Sequence, residues 1–473
     1  MVSEVLVPEI RLCKAGARRE CARIHPHNGR AYRPRKPLTR VVQPDRLRGM
    51  LSAMRPAAVV AVVLAVGAVL AGQSGTSKFS PALAERADVK QAIAYVDQHF
   101  EAQVAEWITL TQIPALSTHE QKRAAYIRGQ LEKLGLTPTT DGIGNVMARR
   151  AGAGGGPTIV FAAHMDTVHP MDTDLTVKRP GDGTLHAPGI FDDTPSDVEL
   201  LQMLRALDAA KITTKGDLIA LFTVQEELGL KGMYYWFDHH PKVADMIVAV
   251  DAPLGAVDYG ALGIYWSKMK FSAPGAHTLA SRGQPHPARA AAQCIADIYT
   301  VPLPPENAPV TAIYNVGMLG GGTVVNAIAP EAWFTVDLRT VDPALLNQLD
   351  AQIVAKCQAA ATAQKVTFAR EFIQKSEAGG RPENLADRLA HPVVQTAVDV
   401  LKYLGVKITP NGVPAATGST DANVGVVHKV PSVAIGRSLG GNQHSLSEWA
   451  DIESARNGTK QIVLLAIALA EPR

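Results

Sequence analysis

Three uninterrupted apolar runs, at residues 158–163, 218–224 and 246–250, limit what this chain can fold into. Each has the length of a strand, and none alternates polar with apolar side chains as a sheet with one wet face requires. Such runs suit a sheet covered by helices on both faces. A fourth run occupies residues 430–435. Apolar residues recur at helical spacing through 89–110 and again through 120–136, with Ile113-Pro114 between them, which predicts two packing helices. The expected class is α/β.

Each run ends in side chains able to bind or catalyse. His164-Met165-Asp166 follows the first, Gln225-Glu226-Glu227 the second and Asp251 the third, while the loop from Gly436 can bring His444 to the same place. In open α/β sheets, ligands bind beyond the carboxyl ends of the strands, so these groups are expected on one edge. Asp192 and Asp193 precede a helical pattern at 198–207, and Thr194 with Pro195 fits an N-cap followed by proline in the first turn.

Between 265 and 378 the pattern changes to strand (267–272), helix (287–299), strand (311–318), strand (333–339), helix (343–363) and strand (365–373). That β-α-β-β-α-β order predicts a small ferredoxin-like α+β unit. It interrupts the larger sheet, because the His444 loop and a closing helix at 451–470 come after it. The expected organisation is therefore a catalytic part at 87–264, an inserted domain at 265–378 and a second catalytic part at 379–473.

Residues 1–56 hold 13 of the 47 Lys and Arg but 4 of the 44 Asp and Glu, leaving 34 basic against 40 acidic residues elsewhere. A mildly acidic folded part gives no footprint for a nucleic-acid partner. Met54-Arg55-Pro56, the apolar stretch 57–72 and the polar stretch 73–77 have the order of a secretory signal, assigned to 50–72 with Val69-Leu70-Ala71 as the cleavage site. Export to a periplasm or outside the cell is expected; an uncleaved segment would act as an anchor. Residues 1–49 are expected to be upstream translated sequence or a disordered extension, with Met50 or Met54 as the start. Cys294 and Cys357 lie in Ala-rich helical patterns and are expected to be buried free thiols rather than a disulfide.

A hydrolase with two metal ions needs a bridging carboxylate, His and carboxylate ligands for each ion, and a separate carboxylate that takes a proton from the attacking water. The residues at the strand ends supply each part. Asp166 lies on the same side of an extended segment as His164 and is placed to accept its second ring N–H. Glu226 and Glu227, pointing apart, can divide the roles of base and ligand. Taken singly, a His at a strand end is commonly a surface residue, and Asp251 or the Asp192-Asp193 pair can be turn chemistry. Their convergence on one edge favours a site. His169, His186, His239 and His240 are rival ligands without a suitable carboxylate neighbour at a strand end.

The series His164-x-Asp166, Gly189-Ile190-Phe191-Asp192-Asp193, Glu226-Glu227, Asp251 and His444 resembles the co-catalytic di-zinc metallopeptidases of the carboxypeptidase G, aminoacylase and peptidase T group. The resemblance covers nearly all the chain after residue 87. It implies a zinc-exopeptidase-like catalytic domain and two Zn²⁺ ions per subunit, in a site whose ligands also suit Co²⁺ or Mn²⁺. Asp192 would bridge, His164 and Asp251 would hold one ion, Glu227 and His444 the other, and Glu226 would be the base. The resemblance further implies a homodimer through the inserted domain, with His277 reaching the partner's site and Asn326 and Arg339 binding substrate. Arg339 suits a carboxylate, although a surface ion pair with Asp337 or Asp342 explains it as simply. Many relatives carry Lys-Gly soon after the bridging Asp, where this chain has Asp193-Thr194-Pro195. The surroundings of residues 222–229 and 250–255 resemble peptidase T most. The expected activity is that of an exopeptidase on short peptides, of the aminopeptidase or tripeptidase kind; the alternatives are removal of the acyl group from N-acyl amino acids, carboxypeptidase action, or a non-catalytic binding protein.

Overall fold

The computed structural model describes residues 77–380, 385–409 and 417–473, all within one unit spanning residues 69–473. The expected signal segment at 50–72 and the extension before it lie outside the described residues. After a single turn of helix at Pro81–Ala84 come α1 (Ala87–Gln98), α2 (Phe100–Thr111) and α3 (Gln121–Lys133). One helix was expected across 89–110, but the chain breaks at His99, where φ is −108° and ψ is 13°. The break lets Val89, Ala92 and Val96 of α1 and Phe100, Val104 and Trp107 of α2 all enter the same core.

Strands β1 (Thr139–Thr140), β2 (Val146–Arg150) and β3 (Ile159–His164) follow, then α4 (Thr194–Ala209), β4 (Leu218–Thr223), α5 (Lys231–His239), β5 (Met246–Val250) and β6 (Val257–Asp258). The chain next forms β7 (Gly263–Ser272), α6 (Pro287–Ile298), β8 (Ala312–Gly321), β9 (Glu331–Thr340), α7 (Pro343–Gln364) and β10 (Thr367–Ser376). It closes with α8 (Pro392–Tyr403), α9 (Ala422–Val427), β11 (Ser432–Ile435) and α10 (Ile452–Leu469).

The larger sheet has the order β1-β2-β4-β3-β5-β11-β6. Its four middle strands are parallel, with His164 opposite Thr223 and Ile435 opposite Val250. Burial of both faces explains the continuous apolar runs. Ile159, Phe161, Leu218, Phe222 and Val248 face a core shared with α1, α2, α4, α8 and α10. The alternate residues Val160, Ala162, Ile219, Leu221 and Ile247 face Met233, Trp236 and Phe237 of α5 and Val424 of α9. Because the middle strands run in parallel, their carboxyl ends share one edge, as the sequence predicted.

Strands β7 to β10 form a separate antiparallel sheet in the order β10-β7-β9-β8. Phe271, Phe334 and Leu338 pack with Cys294 of α6 and with Leu349, Ile353 and Cys357 of α7 in a core of its own. The β-α-β-β-α-β order is present. One expectation is overturned here: Cys294 and Cys357 are joined as a disulfide rather than left as thiols, because α6 and α7 lie side by side with the two Cα atoms 4.8 Å apart. Helical periodicity buries both residues but does not say which turns of two distant helices meet.

The cross-link closes a 63-residue separation, and removing such a bond typically costs about 2–4 kcal/mol. Alkylation of unfolded, unreduced protein should leave both cysteines unlabelled, and prior reduction should add label at both. The double variant C294A/C357A should melt at a lower temperature. Labelling of both residues without reductant would show that the bond does not form.

Candidate metal centre

The sheet edge carries its polar groups on the connections that leave β3, β4, β5 and β11. Beyond β3, the Asp166 carboxylate is fully buried and accepts hydrogen bonds from Ser117 Oγ (2.6 Å), the Glu226 N–H (3.0 Å) and the Glu227 N–H (3.2 Å). The sequence predicted that this carboxylate takes the His164 ring N–H. His164 Nδ1 lies 3.5 Å from that carboxylate and 3.1 Å from the Asp166 main-chain carbonyl. Asp166 therefore meets the ring through both groups, and its carboxylate also fixes the glutamate turn.

Glu226 and Glu227 are not extended but sit in a turn entered through Gln225, whose φ is 55°. Glu120 steadies that left-handed residue by accepting its N–H at 3.2 Å, together with the N–H of Thr118 at 2.8 Å. The turn, rather than a strand, separates the two carboxylates. Burial pushes the Glu226 carboxyl well above its usual range, and the nearby Asp251, Glu227 and Asp421 add to the effect.

The segment Gly189–Asp193 is gripped from several sides. Glu448, buried, accepts from the N–H groups of Gly189, Phe191 and Asp192, each at 2.8 Å. Trp107 Nε1 donates to the Ile190 carbonyl at 2.8 Å, and Thr194 Oγ1 donates to that of Gly189 at 2.6 Å. Gly189 has φ of 73°, and a Cβ there would meet Thr167 Cγ2 at 2.9 Å, so glycine is required. The peptide bond joining Asp192 to Asp193 is cis. The helix cap is Asp193, one residue earlier than expected, with Thr194 and Pro195 inside the first turn of α4.

These connections bring all five expected ligands together. Asp192 splits its carboxylate: Oδ1 is 3.2 Å from His164 Nε2, and Oδ2 is 3.4 Å from His444 Nε2. Asp251 Oδ1 lies 3.9 Å from His164 Nε2, and Glu227 Oε1 lies 3.0 Å from His444 Nε2. Two sets follow, His164 with Asp192, Asp193 and Asp251, and Asp192 with Glu227 and His444; within each, one donor atom per residue falls within 4.8 Å of the others. Glu226 joins His164 and Glu227 in a third set of the same tightness. Glu227 Oε1 is buried without a hydrogen-bond partner despite the nearby His444 nitrogen, as expected of two lone pairs aimed at a common point. The nitrogen and oxygen donors fit a pair of divalent ions sharing Asp192.

Arg437 and Glu448 were not singled out from the sequence. Arg437, two residues past β11, is buried, and its Nη1 lies 2.8 Å from Asp251 Oδ1 and 3.0 Å from Asp193 Oδ1. Its Nη2 lies 3.1 Å from Asp192 Oδ1. Although burial alone would raise it, the Asp192 carboxyl is held well below its usual range by Arg437, His164 and His444. A cation just beyond a strand end on the ligand edge was the available signal for Arg437; Glu448, four residues after His444 in a polar loop, offered none.

The rival histidines have other partners. His169 Nε2 meets Glu448 at 3.4 Å, His186 meets Thr184 Oγ1 at 2.8 Å, and His239 and His240 meet the carbonyls of Tyr235 and Trp236. His277 and Asn326 are exposed on two loops outside the strands of the smaller sheet, joined by the Thr278 N–H donating to the Asn326 carbonyl at 2.9 Å. Arg339 pairs with Asp337 at 3.0 Å. None of these three belongs to a potential metal set among the described residues.

Residues 160–468 match the model of Peptidase family M20/M25/M40. An uncharacterized protein, YqjE, of Bacillus subtilis (strain 168) is 25% identical over 396 residues, covering 76% of this chain and 96% of the relative. An N-carbamoyl-L-amino-acid amidohydrolase of Pseudomonas sp. (strain NS671) is 20% identical, covering 73% and 90%. Among solved structures, a tripeptidase of Staphylococcus aureus subsp. aureus mu50 aligns with a TM-score of 0.63 at 20% identity, covering 78% of this chain and 98% of its own. The aminopeptidase PepT of Bacillus cereus ATCC 10987 aligns at 0.61 and 20% identity, covering 79% and 99%. YXEP of Bacillus subtilis, described as a dinuclear metal binding peptidase from the M20 family, aligns at 0.57 and 16% identity, covering 80% and 100%. At these identities the structures establish a shared fold, and with the family match over most of the sheet and all five expected ligands, the chain belongs to peptidase family M20/M25/M40 and is a metal-dependent hydrolase of it.

Proposed function

We propose that this protein is an exported exopeptidase that hydrolyses short peptides with two Zn²⁺ ions. The observation that carries the reading is the division of the Asp192 oxygens between two donor sets, with Glu226 beside both and outside the two ligand assignments. His164 and Asp251 would hold one ion, Glu227 and His444 the other, and Asp192 both. When bound, the ions polarise the scissile carbonyl and acidify the attacking water. Glu226 takes the water's proton and delivers it to the leaving nitrogen. Its place outside the two ligand assignments leaves its oxygens free to hold that proton between the two transfers. Asp166 and Glu120 keep the turn in place through the main-chain N–H groups of residues 225–227.

The peptide preference is supported by the motif surroundings that resemble peptidase T and by the fold shared with proteins described as an aminopeptidase and a tripeptidase. A second reading, cleavage of an acyl group from an amino acid, is favoured by the relative described as an N-carbamoyl-L-amino-acid amidohydrolase. Product analysis by mass spectrometry, on free-amine peptides and N-acylated amino acids with and without chelator, separates them. Loss of terminal residues from free-amine peptides only without chelator is the expected result; turnover confined to acylated amino acids would favour the second reading. Inertness toward the whole panel would leave a binding protein.

E226Q should retain metal and lose about a hundred- to ten-thousand-fold in kcat, the usual worth of general acid-base help. E227Q should lower metal content itself. Near wild-type turnover by E226Q, or equal metal loss in both variants, would reverse the assignment of base and ligand.

We also propose a homodimer built on the smaller sheet. Edge strand β8 exposes Ile313, Met318 and Leu319, and the following loop exposes Val324 and Val325 close to Asn326 and His277. An apolar strip on an unpaired edge is a common site of association. His277 would then act in the partner's site, with Asn326 and Arg339 holding substrate. Mixing H277A subunits with an inactive metal-site variant should restore part of the activity, and verified heterodimers without recovery would show that each subunit works alone.

Export is supported by the n-region, apolar stretch and polar boundary at 50–77 and by the Cys294–Cys357 disulfide, a bond that persists in oxidising compartments. Intact-mass analysis of protein from the native host should give a start near Gly72. A mass retaining residues 1–49 would oppose it.

A further inference from the structure

Asp166, Asp192, Asp193, Glu226, Glu227 and Asp251 gather at one sheet edge with His164, His444 and Arg437. A histidine that ligates a metal does so neutral, so among the described residues touching these carboxylates only Arg437 carries a charge independent of ligation. It is 1% exposed, and all three of its nitrogens are engaged: Nε donates to the Phe191 carbonyl, Nη1 contacts Asp251 and Asp193, and Nη2 contacts Asp192. A guanidinium so enclosed has no free edge for substrate. Its contacts are also one-sided. It touches the Oδ1 atoms of Asp192 and Asp251, both of the His164 set, and no hydrogen bond or ion pair joins it to Glu227 or His444.

We infer that Arg437 is a positioning residue acting as a built-in counter-cation: it holds Asp192, Asp193 and Asp251 in the absence of metal and shares two ligand oxygens with the ion at the His164 end. This inference rests on the metal-centre reading above. It has a consequence for binding strength. A fixed positive charge in contact with those oxygens repels an incoming divalent ion, so the His164 position binds metal more weakly than its own ligands would allow. The Glu227–His444 position lacks this opposition. Arg437 thus exchanges some metal affinity for an edge that stays assembled before metal arrives.

The test compares wild type, R437M and R437K by zinc titration against a competing chelator and by thermal melting in chelator and in saturating zinc. R437M should be the least stable of the three in chelator, bind one of its two zinc ions at least about tenfold more tightly than wild type does, and show a larger zinc-dependent rise in Tm. R437K keeps the charge and should bind zinc close to wild type. If R437M folds only with zinc present, the ion is supplying the missing cation and the inference stands. If it fails to fold with zinc as well, R437Q takes its place as the neutral variant, and failure of both neutral variants in zinc overturns the proposal. Unchanged or weaker zinc binding by the neutral variant, or tightening by R437K equal to that of R437M, overturns it too. A wild type that neither binds zinc nor gains stability from it would instead remove the metal-centre reading.

Discussion

Carboxylates packed at the edge of a buried sheet repel one another, and the low local dielectric strengthens that repulsion. Much of the architecture around Asp192 answers this constraint. Arg437 enters from the loop after β11 to touch three aspartates, and His164 and His444 approach different oxygens of Asp192. Divalent ions would offset much of the remaining negative charge. A site of this composition is poorly compensated without cations, so its donor atoms converge only because Arg437 and main-chain N–H groups hold them there.

Convergence also needs stiffness, and the chain obtains it from main-chain groups. Glu448 takes three N–H groups of the Gly189–Asp192 segment, Asp166 takes those of both glutamates, and Glu120 takes those of Thr118 and Gln225. These carboxylates are turned toward the backbone and set the directions of others, a division seen at metal sites generally. Position in the hydrogen-bond network, rather than residue type, separates a ligand from its support.

The smaller sheet follows a different logic. Its core is independent of the larger one and is tied by the Cys294–Cys357 bond, while its outer strand and loop leave apolar side chains in water. His277 and Asn326 are exposed on loops of the same unit. Arg339 is paired with Asp337, so its use on substrate would require that pair to open or to accept a third group.

The α/β class, the four middle strands and the convergence of the five expected ligands were legible in the sequence because burial on both faces leaves continuous apolar runs, and ligand-bearing groups follow those runs at one edge. The roles proposed for Glu226 and for zinc rest on resemblance to a family. Other features were decided by the tertiary structure alone. The split of Asp192 between two donor sets, the turn that separates Glu226 from Glu227, and the grip of Glu448 on a segment some 256–259 residues away depend on which loops meet. So do the pairing of Cys294 with Cys357 and the three contacts of Arg437. Local patterning reports whether a residue is buried and how its own segment is coiled; it carries no record of the partner that packing places opposite, and that partner is what turns a buried carboxylate into a ligand, a clamp or a base.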